Sequence, residues 1–378
     1  MFIGQCLPIY AFYTILFIDR GKSVTDVAIL IALWSAFSIV FEIPSGILAD
    51  RWNRRNMLAI GSLLKGLCFV IWFFSYTFFM FALGFVFWAI AGAFKSGTEE
   101  SLIYDNLKSD RCENRFTEIY GKAQFYANIG TIVGIISAGI ISNFINIATI
   151  SLLSAAICFL NIIFAMQIRE KNFYLEHVGG ARASILETFK KAGSLIKRSK
   201  VALVAILFLM LFASLGGYLD EFDALIINDF ELNIVWISVI MTVRFGFIAL
   251  GDILAPIVGK RLSSIKHMFL LGALACVFLV AFAVVWNIYA ILLLGLAFMV
   301  MAVVDVLLVN VVQNEINEEG RATVMSFYGV GQNIGMICFA LVFAMLAGWF
   351  SLQWVYVIVS LYGIVGSLVF WMLGRYAK

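Results

Sequence analysis

Apolar residues run through this chain in long blocks, and polar residues are confined to the gaps between them. Twelve blocks are long enough to cross about 30 Å of hydrocarbon as helices. They fall near residues 2–18, 27–49, 57–75, 78–102, 122–144, 148–166, 203–226, 234–256, 268–285, 289–312, 324–347 and 352–373. The pattern predicts an all-α membrane protein. Most gaps are short, but Gln167–Lys200 is long, polar and rich in charge. It reads as a linker between an N-terminal bundle of six helices (1–166) and a C-terminal bundle of six (201–378). The first block has no basic segment before it and no small-residue cleavage site, so it reads as a retained helix and not as a signal peptide.

Composition agrees. The chain is 63% hydrophobic and 13% charged, against about 45–50% and about 25% for soluble domains, so membrane lipids are its expected solvent. A net charge of +3 gives no reason to expect a nucleic-acid partner. The six cysteines are well separated and spell out no disulfide framework, zinc site or redox pair. Both histidines, His177 and His267, fall in predicted gaps, which excludes a histidine proton relay inside the membrane.

Basic residues sort by side. Of the 26 Lys and Arg, only Arg20 and Lys22 lie in odd-numbered gaps, while Lys65, Lys95 and Arg244 lie within spans. All the others occupy the even-numbered gaps and the C-terminal tail. By the positive-inside rule both termini and the linker are expected in the cytoplasm, and the protein in the cell inner (plasma) membrane.

The two halves also echo each other. A shift of 206 residues carries Ile47-Leu48-Ala49 onto Ile253-Leu254-Ala255 and Arg54-Arg55 onto Lys260-Arg261. It also carries Arg115 and Thr117 onto Arg321 and Thr323, and a shift of 205 maps Asn128-Ile129-Gly130 onto Asn333-Ile334-Gly335. A nearly constant offset of this kind predicts a duplicated bundle.

After the second span the chain reads Gly46-Ile-Leu-Ala-Asp50-Arg51-Trp-Asn53-Arg54-Arg55. This resembles the G-x-L-A-D-R-x-G-R-R signature between helices 2 and 3 of the major facilitator superfamily, with Asn53 in place of the usual glycine. The resemblance implies that family's fold, two pseudo-symmetric six-helix bundles working by alternating access. It implies that Gly46, Asp50, Arg51, Arg54 and Arg55 form a conformational latch on the cytoplasmic side. It also implies that helices 1, 4, 7 and 10 line a central cavity, flanked by 2, 5, 8 and 11. Drug–proton antiporters of the family carry a G-x-x-x-G-P-x-x-G-G pattern in helix 5; this chain has Gly130, Gly134 and Gly139 there and no proline. Their helix 4 arginine is also missing.

Ionisable groups within spans each cost about 2.5–3.5 kcal/mol on insertion scales, so they are the first functional candidates. Among them are Glu42, Glu99, Asp220, Asp223, Arg244 and Asp305, with Lys95 one turn from Glu99 and Lys65 expected to snorkel to the inner interface. The repeat offset makes Glu99 and Asp305 candidate equivalents. Asp305 or the acids of helix 7 are the expected partners of Arg244. Tyr10, Tyr13, Gln124, Asn310 and Gln332 are further cavity candidates.

No nucleotide motif is present, and no nucleophile, metal or cofactor constellation, so neither an enzyme nor an ATP-driven pump is expected. The leading expectation is a monomeric, proton-coupled secondary transporter that exports small amphipathic molecules or drugs by antiport. The alternative is a proton symporter that takes up a small polar metabolite.

Overall fold

A computed structural model describes residues 2–49, 52–96, 98–112, 115–170, 199–262, 264–315 and 318–374. Among them it contains helices and no strands. Contacts divide the chain into two compact units, Met1–Arg182 with Leu232–Val239 and Ala183–Glu231 with Ile240–Lys378. Eleven described helical segments are long and apolar enough to cross a membrane, and the Phe125–Ile141 part of a further helix is apolar but shorter.

The first unit begins with a broken span. Helix α1 (Phe2–Gln5), a 3-10 turn (Pro8–Ala11) and α2 (Tyr13–Asp19) replace the single helix expected over 2–18. Pro8 supplies no backbone N–H and sits at the start of the turn, where none is needed. Then come α3 (Val24–Ala49), α4 (Arg54–Phe74), α5 (Phe78–Lys95), α6 (Thr98–Ser109), α7 (Phe116–Ile141) and α8 (Ile147–Gln167). The start of α3 is fixed by a reciprocal cap: Ser23 N–H donates to Asp26 Oδ2 at 2.8 Å, and Asp26 N–H to Ser23 Oγ at 3.1 Å. The expected fourth span, 78–102, ends at Lys95 and resumes as a separate α6, so the sequence reading of one continuous helix is corrected there.

The second unit holds α9 (Lys200–Asp220), α10 (Asp223–Asn228), α11 (Ile234–Arg261, its residues up to Val239 grouping with the first unit), α12 (Ile265–Val285), α13 (Ile291–Glu315), α14 (Glu318–Ala347) and α15 (Leu352–Leu373). The span expected over 203–226 is two helices, interrupted at Glu221 and Phe222. His267 stands in the first turn of α12, not in a gap.

Each unit repeats the same packing. Helix α4 lies on α8 and on α5, as α12 lies on α15 and on α13. The broken first span packs on α7, and α9, the first helix of the second unit, packs on α14. The glycines that permit this last approach are the pair predicted to be equivalent. A Cβ on Gly130 would overlap the Phe2 carbonyl oxygen, and one on Gly335 would overlap the Ser214 side chain. A Cβ on Gly134 would come within 2.9 Å of Leu7 N. Backbones this close require the missing side chain, as in small-residue packing between membrane helices.

Large aromatics stand exposed at the odd-numbered joints of both units. Phe79 is 82% exposed, Phe144 82%, Tyr289 85% and Trp349 88%. These rings lie on the side of each unit that carries few basic residues, where an aromatic interfacial belt is expected.

Candidate functional site

The most heavily charged buried site lies in the second unit. Arg244, one-third of the way along α11, is 1% exposed, a position that an unpaired guanidinium in apolar surroundings does not tolerate. Asp223, the first residue of α10, faces it with Oδ2 2.8 Å from Nε. Asp220, the last residue of α9, ion-pairs with the Nη2 side. Asp220 and Asp223 stand on either side of the break between α9 and α10, and both carboxylates meet one guanidinium. Residues three apart on a single helix share a face, but here one closes a helix and the other opens the next.

Phe245 and Phe298 complete the seat, each ring centroid 4.6 Å from the guanidinium carbon. The two carboxylates differ in access: Asp223 is fully buried, whereas the Asp220 side chain is 40% exposed. Tyr356 of α15 closes the back of the site. Its hydroxyl lies 3.1 Å from the Leu219 carbonyl and 3.4 Å from Asp223 Oδ1. Arg244 Nη1 is buried with no hydrogen-bond partner among the described residues. Two carboxylates against one guanidinium leave a net charge of −1 when both are ionised.

Of the two partners expected for Arg244, the structure brings together the helix 7 acids and leaves Asp305 elsewhere. Asp305, within α13, is hydrogen-bonded by the Tyr328 hydroxyl and lies near Asp252 of α11. Glu99, its expected equivalent, stands in a different setting. It falls in the first turn of α6, after the break at the end of α5, and pairs with Lys95 at 3.7 Å. The equivalence therefore does not extend to local structure. Glu42 is exposed near the C-terminal end of α3, and its Oε1 accepts from Ser96 Oγ at 2.9 Å. Asn310 is exposed on α13 and Gln332 half-buried on α14.

In the first unit Lys65 does not snorkel. It lies in the middle of α4, its ammonium 3.7 Å from the Trp88 ring centroid and 4.7 Å from that of Tyr10. The aromatic faces supply part of the electrostatic stabilisation that water would give. Tyr10 is half-buried, with its ring edge-on to Trp88. Tyr13, expected at a cavity wall, is instead a core residue, 4% exposed and packed on Phe17, Trp72, Phe85 and Trp88.

Asp50 and Arg51 of the expected latch lie outside the described residues. Gly46 and Gln124 fall within α3 and α7, but their surroundings also lie outside them. Arg54 and Arg55 open α4, where their backbone N–H groups donate to the two carboxylate oxygens of Glu170 at 2.8 and 3.2 Å. A carboxylate at this position satisfies orphan donors and complements the helix dipole.

Tyr356, Asp252, Tyr328 and Glu170 are the participants that the sequence reading missed. A tyrosine in an apolar span looks like any other packed aromatic, and Glu170 sits in a polar stretch where a single acid carries no signal. Asp252 was legible as an acid inside the eighth span.

The Major Facilitator Superfamily profile matches residues 2–318. The chain belongs to the major facilitator superfamily. It is therefore a multi-pass membrane transporter and not an enzyme. It is 41% identical over 69 residues to the uncharacterised MFS-type transporter YfkF of Bacillus subtilis strain 168, a match covering 18% of this chain and 16% of that protein. Solved structures share the fold over almost the whole length. The nucleoside transporter NupG superposes with a TM-score of 0.80 at 17% identity, covering 99% of this chain and 97% of that one. A D-xylose–proton symporter gives 0.74 at 11% identity, covering 100% and 96%. A bacterial homologue of the human lysosomal transporter Spinster, inward-facing and occupied, gives 0.75 at 14% identity, covering 100% and 94%.

Proposed function

We propose that this transporter is a proton-coupled exporter of small amphipathic molecules, working by alternating access in the cell inner membrane with both termini cytoplasmic. The observation that carries the reading is the Asp220–Arg244–Asp223 group. A buried site with one carboxylate in excess exchanges a proton or a cation more readily than a balanced pair does. Asp220, partly exposed, is the carboxylate within reach of an aqueous path, and Asp223 is the buried one. One proton crossing 100 mV supplies about 2.3 kcal/mol, comparable to the gap between alternating-access states.

The half-buried surface of Tyr10 beside Trp88 and Lys65 supports a flat or amphipathic cargo. Such molecules enter membranes passively, so a carrier for them is useful chiefly in the outward direction. A second reading, proton symport of a polar metabolite, is favoured by the buried Arg244 Nη1, a donor suited to a substrate oxygen.

The test is flux through proteoliposomes across a compound panel under an imposed pH gradient. Export predicts that substrate moves against the proton flow. Co-movement favours symport, and flux indifferent to the gradient sinks the proton coupling. Asp50→Asn tests the latch: cycling is expected to slow with equilibrium substrate binding retained, whereas loss of binding would put Asp50 in the cargo site.

A further inference from the structure

We propose that Tyr356 is the positioning residue that ties the proton state of Asp223 to the break between α9 and α10, an inference that rests on the proton-coupled reading above. The Tyr356 ring is fully buried, with the Phe282 and Trp286 rings edge-on at 6.4 Å, so its hydroxyl is held in place. That hydroxyl carries one proton and faces two acceptors, the Leu219 carbonyl at 3.1 Å and Asp223 Oδ1 at 3.4 Å. Leu219 is in the last turn of α9, and its carbonyl also accepts from Phe222 N–H at 3.0 Å. Asp223 opens α10, across the interruption at Glu221 and Phe222.

One O–H group does not serve both acceptors fully. When Asp223 is ionised, its carboxylate draws the phenolic proton into a charge-assisted bond, and the Leu219 carbonyl is left with the Phe222 N–H, 3.0 Å away, as its donor. When Asp223 takes up a proton, its own O–H donates to the phenolic oxygen, and the phenolic proton goes to Leu219. The donor chain then runs from Asp223 through Tyr356 to Leu219, so uptake of one proton adds a side-chain link across the interruption. The charged groups that act on Asp223 are Arg244 of α11, Asp220 at the end of α9 and Glu221 in the break, with Tyr356 of α15. Arg244 stays cationic across the accessible pH range.

The far end of α10 is held by the same aromatic group. Trp286 adopts a left-handed backbone (φ 41°), uncommon for a bulky side chain. Its Nε1–H donates to Asp229 Oδ2 at 2.9 Å, directly after α10. Tyr356 and Trp286 thus anchor the two ends of one short helix.

The experiment is an infrared pH titration of the protein in lipid nanodiscs, which needs no substrate. The band of the protonated Asp223 carboxyl is identified by its absence in Asp223→Asn. Tyr356→Phe keeps the ring and removes a donor to the carboxylate, so the midpoint is expected to rise by about half a pH unit or more. Hydrogen exchange at residues 219–228, corrected for intrinsic rates, is expected to follow pH in the native protein and to lose that dependence in both variants. Should Tyr356→Phe fail to fold, 3-fluorotyrosine incorporated at position 356 gives a stronger donor and an expected downward shift. A midpoint that moves in neither case overturns the link. If the midpoint moves but proteoliposome flux ignores the pH gradient, the link stands and the proton-coupled reading falls. If flux follows the gradient and the midpoint is fixed, only the link falls.

Discussion

Lys65 in the first unit rests on aromatic faces, whereas Arg244 in the second lies between two carboxylates. Both cations are well inside spans, and both lose hydration there. The π faces of Trp88 and Tyr10 stabilise a cation without bringing a negative charge of their own. The carboxylates stabilise Arg244 more strongly but bring their own desolvation, and they join three charged groups into one cluster. The two units share their helix packing down to the glycines that admit the first span, yet differ in where they spend charge. Packing register survives in a duplicated bundle because a side chain at Gly130 or Gly335 collides with a neighbouring helix. Charge placement is freer to diverge, since many arrangements satisfy it.

The sharpest way to break the comparison is to remove each cation. Arg244→Met leaves a buried carboxylate uncompensated and is expected to destabilise the protein by about 3–5 kcal/mol, with proton-driven flux lost. Adding Asp223→Asn is expected to recover part of that stability in thermal unfolding in detergent. Full stability in Arg244→Met alone would mean that the ion cluster does not hold α9, α10 and α11 together.

The shared packing makes the next prediction. Gly130→Val and Gly335→Val each force a side chain against a neighbouring helix, at a cost of about 1–3 kcal/mol apiece. Similar melting losses support equivalence of the two units, and a loss in only one would confine the close approach to that unit. Smaller again is Glu170→Gln, which weakens the cap on α4 and is expected to cost about 1 kcal/mol. The smallest change is expected from Lys65→Met. The lost cation–π contacts and the relieved desolvation nearly cancel, leaving stability within about 1 kcal/mol of the native protein. A loss as large as that of Arg244→Met would erase the contrast between the two cations.

The apolar spans were legible from sequence because lipid imposes one rule on every residue of a span. A backbone without water must bond internally and its side chains must be apolar, so the signal is repeated some twenty times per helix. The signature from Gly46 to Arg55 placed the chain in its family for a similar reason, being local and contiguous. The acids and the arginine of the site were likewise visible one by one, as costly residues in apolar blocks.

Their pairing was not visible. Arg244 had Asp305 and the helix 7 acids as candidates, and only the folded structure brings Asp220 and Asp223 onto it. The same holds for Tyr356, separated by more than a hundred residues from the carbonyl and the carboxylate it reaches. Lys65 was expected at the interface because sequence shows its depth only to within a turn or two, and the Trp88 ring that holds it belongs to another helix. Burial in lipid is written into each segment separately and is therefore read from sequence. Which polar group meets which depends on where helices break and how they pack, and the tertiary structure alone decided that.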